Sequence, residues 1–76
     1  MVTQSVSIDS LKKIQTLVGI LNNYSGRFEL ISGSSCVNAK SVMGIFSLDI
    51  SRPVCLNIYN EECASDVLKE LASHII

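Results

Sequence analysis

The chain has 76 residues, 47% of them apolar and only 5% aromatic, with no Trp and a formal net charge of −1. That length supports one domain, 1–76, with an aliphatic core that must use nearly every apolar residue, because a domain this small buries only about 60% of its unfolded surface. Six basic residues scattered among seven acidic ones exclude the basic patch of a nucleic-acid interface, and no apolar run approaches the roughly 20 residues of a membrane span.

Val2, Gln4, Val6 and Ile8 alternate with Thr3, Ser5 and Ser7, the period of a half-buried strand. The same segment, Met1 to Asp9, lacks the basic and apolar regions of a secretory signal, so the expected location is cytoplasmic. Asp9 and Ser10 are both helix-capping types. Leu11, Ile14, Leu17, Val18 and Leu21 then form the apolar stripe of a helix ending near Asn22-Asn23, where Asn tolerates the left-handed conformation that closes helices. Tyr24-Ser25-Gly26 reads as a turn. "RFELIS", Arg27 to Ser32, puts Phe28 and Leu30 on one face and Arg27, Glu29 and Ile31 on the other. Gly33 and Ser34 connect it tightly to "SCVNAK", so the two strands should pair as an antiparallel hairpin.

"NAKSVMGIFSLDI", Asn38 to Ile50, follows. Its apolar residues are too few for a full-length helix and wrongly spaced for a strand, which leaves a short helix capped by Ser41. Ile45 and Leu48, three apart, should face the core, which turns Val42, Met43 and Phe46 elsewhere. "RPVCLNIYN" alternates Val54, Leu56 and Ile58 with Cys55 and Asn57, with Pro53 at its start where a strand tolerates it. Glu61-Glu62 and Ser65-Asp66 are two candidate starts for a last helix striped by Val67, Leu68, Leu71, Ala72 and Ile75. The order strand, helix, strand, strand, short helix, strand, helix points to an α+β sandwich, a four-stranded sheet covered by helices on one face.

Cys36, Cys55 and Cys63 are odd in number and contain no C-x-x-C pair, a poor basis for a disulfide framework or a metal site. They are expected to be buried or half-buried thiols. Neither a metal nor a cofactor is implied. The single histidine, His74, falls on the tail of the last helix, where the negative end of the dipole repels anions.

The element order and the segment "GSSCVNAKSVMGIFSLDI", Gly33 to Ile50, resemble HPr, the histidine-containing phosphocarrier family of the bacterial sugar phosphotransferase system. The resemblance runs without gaps from Tyr24 through Ile58 and resumes, with about one residue adjusted, in the last helix. It implies that the sandwich is open-faced and that its four-stranded sheet is antiparallel. It places Ser41 at the family's regulatory serine, phosphorylated by a dedicated kinase in some members. It also implies an exposed apolar patch, here Val42, Met43 and Phe46, that docks a protein partner through the short helix at 41–48. The family's phosphoryl-accepting motif, roughly Gly-Leu-His-x-Arg-Pro-Ala, aligns with "DSLKKIQ", Asp9 to Gln15. Ser10 falls on the histidine position, Lys12 on the arginine and Lys13 on the proline, and the preceding loop is shortened. A phosphohistidine P–N bond is labile enough to pass its phosphoryl group on, whereas a phosphoserine ester is not.

Read this way, the chain is a non-enzymatic, degenerate HPr-like protein without the active-site histidine, a regulatory or protein-interaction module. The alternatives are a phosphocarrier with a displaced phosphoryl acceptor and a fold that persists without either role. For Ser10, Lys12 and Lys13 the plain reading is a capped helix start with solvated lysines, and the functional one a residual anion site. Association into a homo-oligomer is compatible with all of them.

Overall fold

Alternating side chains and capped apolar stripes produce the seven elements in the expected order. The computed structural model describes residues 1–72. It contains β1 (Val2–Val6), α1 (Leu11–Leu21), β2 (Phe28–Ser32), β3 (Ser35–Asn38), α2 (Val42–Phe46), β4 (Val54–Ile58) and α3 (Glu61–Ala72). The sheet order is β1-β4-β2-β3 and every pairing is antiparallel. This is the expected open-faced α+β sandwich.

Pairing of the first strand with the last sets which face is dry. Val2, Gln4 and Val6 stand opposite Ile58, Leu56 and Val54, which in turn flank Phe28 and Leu30 of β2. On this face Val6, Phe28, Leu30, Val54, Leu56 and Ile58 are buried against Ile14, Leu17 and Leu21 of α1 and Val67 and Leu71 of α3. Each fully buried aliphatic side chain contributes about 1.5–3 kcal/mol, offsetting the chain entropy lost on folding. Ile8, just past β1, is also fully buried. Phe28 is the one aromatic ring in this core.

The β2–β3 hairpin turns at Gly33-Ser34. Gly33 has φ +60° and no other residue type in the described chain has positive φ, the arrangement of a II′ turn with Gly first. Gly26 at φ +110° makes the other left-handed turn, where a Cβ would sit 2.9 Å from the Asn60 Cβ.

Several expectations need correction. Asn22 closes α1 in a right-handed conformation, φ −67°. The Asn23 and Tyr24 N–H groups donate to the Ile20 and Leu21 carbonyls at 3.1 Å, so the last carbonyls are satisfied without a left-handed residue. Leu11, expected in the apolar stripe, is 52% exposed, and Ile20 is buried instead. Of the two candidate starts of the last helix, the structure takes Glu61, where the Asn60 side-chain oxygen accepts the Glu62 N–H at 3.1 Å. Cys36 is exposed while Cys55 and Cys63 are half-buried; Cys36 lies on an edge strand, on the sheet face opposite the helices. His74 and Ile75 lie outside the described residues.

Candidate functional site

The short helix α2 is built from its N-terminal side. The Asn38 carboxamide oxygen accepts the Lys40 N–H at 2.9 Å, and the Ser41 N–H donates to the Asn38 carbonyl at 3.0 Å. This tight turn, a local hydrogen bond typical of Asn, swings the chain off the edge of β3. Lys40 anchors the turn from the other side. Its ammonium donates to the Tyr24 carbonyl at 2.7 Å and lies 5.2 Å from the centroid of the Phe28 ring, a cation–π contact. Ser41 then caps α2: its hydroxyl oxygen accepts the Gly44 N–H at 3.1 Å and its carbonyl accepts the Ile45 N–H at 3.0 Å. A Cβ at Gly44 would meet the Ser41 Oγ at 3.3 Å and the Val37 Cβ at 3.4 Å. The bare glycine therefore lets α2 lie close to β3.

Five residues cannot hide apolar side chains all round. Ile45 is fully buried and Leu48 nearly so, as the spacing predicts, while Met43 is 82% and Phe46 51% exposed. Val42 differs from expectation: it is half-buried and packs against the core. It lies three residues before Ile45 and four before Phe46, hence on the helix flank between a buried and an exposed neighbour.

The start of α1 has the same backbone logic. Ser10 is extended, φ −142°, and its hydroxyl oxygen accepts the Lys13 N–H at 3.3 Å. The Lys13 ammonium, however, pairs with the Asp9 carboxylate at 3.0 Å, and this hydrogen bond and charge hold the Asp9 carboxyl below its ordinary range. Ser10, Leu11 and Lys12 are exposed. A negative carboxylate beside the helix start offsets the positive end of the dipole that would attract an anion. α1 and α2 pack on one another, so the fold brings both starts to the helical layer. Leu11 adds an exposed apolar side chain there that the apolar stripe disguised as core.

The open face of the sheet carries a polar cluster that sequence reasoning did not single out. Arg27 donates to the Glu29 carboxylate at 2.6 and 3.2 Å and lies 5.1 Å from the centroid of the Tyr59 ring, whose hydroxyl also donates to Glu29. The Tyr59 hydrogen bond, followed by that of Arg27, keeps the Glu29 carboxyl low, and Glu29 in turn pushes the Tyr59 phenol up. Beside it, Asn57 is only 6% exposed, its side-chain oxygen accepting from the Thr3 hydroxyl at 3.3 Å and the Cys55 thiol at 3.6 Å. The available signal was the i, i+2 placement of Arg27 and Glu29 on one strand face. An open depression of about 630 Å³ lies against this face, lined in part by Thr3, Ser5, Cys55 and Arg52. None of the residues of the two helix starts lines it. Among the described residues there is no group of three or more His, Cys, Asp or Glu able to hold a metal ion, and no helix long and apolar enough to cross a membrane.

No family model matches the sequence, and no curated protein sequence does so either. Among solved structures, the chain is similar to the crystal structure of HPr-C-His from Thermoanaerobacter tengcongensis. The two superpose with a TM-score of 0.79 at 24% sequence identity, over 96% of this chain and 89% of that one. The sheet, its strand order and the short α2 between β3 and β4 are thus those of an HPr-like fold.

Proposed function

We propose that this chain is an HPr-like protein without phosphocarrier activity, a regulatory or protein-interaction module related to the sugar phosphotransferase system. The observation that carries the reading is the exposure of Met43 and Phe46 on α2. Two large apolar side chains held in water beside a half-buried Val42 suit a docking surface, and the flexible thioether of Met43 suits adaptable contact. The partner is a protein. Ser41 stands at the base of this surface, and a phosphate added there would change both its charge and its shape. The cytoplasm is the compartment in which such a partner and kinase would be met.

Ser10 supports the non-carrier half of the reading. By the sequence resemblance it falls at the position of the phosphoryl-accepting histidine, with Lys12 at that of the arginine, and Asp9 and Lys13 pair beside the helix start. Incubation with phosphoenolpyruvate and the first enzyme of the system should leave the chain unmodified; an acid-labile phosphoryl adduct would establish the displaced-acceptor carrier instead. Incubation with the serine kinase should give an acid-stable adduct that is lost in Ser41→Ala. An unmodified wild type in that assay removes the phosphoserine role and leaves partner docking to stand alone.

A further inference from the structure

The free edge of β1 is self-complementary. In an antiparallel ladder, directly opposite residues alternate between pairs that exchange backbone hydrogen bonds and pairs that do not. The Tyr59 N–H donates to the Arg27 carbonyl, so Cys55 and Asn57 also direct their backbone groups at β2, and Val54, Leu56 and Ile58 direct theirs at β1. Their partners Val6, Gln4 and Val2 take those bonds. The N–H and C=O groups of Thr3 and Ser5 therefore point away from the sheet. The Ser5 carbonyl is met by the chain's own Gln4 carboxamide at 3.0 Å.

Edge strands ordinarily carry a charge, a proline or a bulge that discourages pairing. β1 reads Val-Thr-Gln-Ser-Val and has neither charge nor proline. It is also close to a palindrome about Gln4. The opposite edge is less open: β3 has four residues, and the outward Asn38 carbonyl is already bonded to the Ser41 N–H.

We infer that β1 pairs antiparallel with β1 of a second copy of this chain, about a two-fold axis at Gln4, joining two four-stranded sheets into one. In that register Thr3 of each copy exchanges both backbone hydrogen bonds with Ser5 of the other. Val2 stands opposite Val6, the Thr3 and Ser5 hydroxyls share the open face, and the two Gln4 carboxamides meet on the axis, released from Ser5. The occupant is a second copy because antiparallel self-pairing matches like with like at every position, which an unrelated strand would not. An interface confined to one strand edge belongs to the weak, transient class, so association is expected roughly between micromolar and millimolar protein.

The test is light-scattering mass across a concentration series up to about millimolar, in reductant so that Cys36 cannot cross-link. Wild type should rise from monomer toward dimer mass. Thr3→Pro and Ser5→Pro each delete an outward N–H but no backbone bond to β4, Thr3→Pro also removing the hydroxyl bond to Asn57; both should stay monomeric with an unchanged circular-dichroism spectrum. Gln4→Lys sets two ammonium groups face to face and should raise the dimer Kd at least about tenfold, less in high salt; it decides the matter if the proline variants do not fold. Cys36→Pro, its N–H outward on the β3 edge, should leave the dimer intact. A wild type that stays monomeric throughout, or a dimer that survives Gln4→Lys or both proline changes at β1, overturns the inference. So does a chain that captures an unrelated strand peptide more tightly than itself.

Discussion

The two serine-capped helix starts, at Ser10 and Ser41, share a backbone solution and differ in their surroundings. In each, an extended serine offers its hydroxyl to an N–H three residues on. At α1 the neighbours are charged: Asp9 and Lys13 neutralise each other, and Lys12 is solvated. At α2 no acid or base occupies the helix, and apolar side chains split between core and water. Capping chemistry alone therefore does not distinguish the two helix starts; the adjoining side chains do.

The comparison breaks most decisively at Ile45. It is the one buried residue of α2, so Ile45→Ala should cost about 3 kcal/mol in denaturant unfolding through the cavity it leaves. Leu11→Ala at the α1 start should change stability by less than about 0.5 kcal/mol. An equal loss at both positions would mean that the two starts are anchored alike. The caps come next. Ser41→Ala and Ser10→Ala should each cost about 1 kcal/mol, visible as parallel shifts in the denaturation midpoint, yet only Ser41→Ala should abolish labelling by the kinase. Smaller still, Met43→Ala and Phe46→Ala should alter stability by within about 0.5 kcal/mol while weakening capture of the partner protein. A double variant that binds as well as wild type would move the docking surface elsewhere.

The finest test is titration of Asp9. Its native carboxyl lies below the ordinary value of 3.8 because of Lys13, so the pair's contribution is complete above 3.8 and is lost as pH falls through the lowered native value. Following that carboxyl by NMR, Lys13→Ala should bring its midpoint up toward 3.8. A midpoint unmoved by that change would show that Lys13 does not hold the carboxylate, and would reopen the α1 start to an anion.

Much of the architecture was legible because its signals are local. The alternation from Val2 to Ile8, the Gly33-Ser34 connection, the two serine caps and the brevity of the α2 stripe each state their element without reference to distant residues. The site was legible in part. Met43 and Phe46 follow from having too many apolar residues on too short a helix, but the lean of Val42 and the exposure of Leu11 do not. Leu11 has the spacing of a core residue, yet it is exposed at the first position of α1. The Lys40 contacts to Tyr24 and Phe28 join residues far apart in sequence, which no motif announces.

What the amino-acid order by itself determined was the succession of elements, their caps and turns, and the absence of histidine from the start of α1. Hydrogen bonding within a few residues and side-chain periodicity decide these. Only the tertiary structure decided that β1 lies beside β4 and so holds one edge of the sheet, that Asn57 is enclosed by Thr3 and Cys55 on an otherwise open face, and which members of each apolar stripe stay in water. Burial depends on what the chain brings across from elsewhere, and a periodic pattern records only that a face exists, not what comes to cover it.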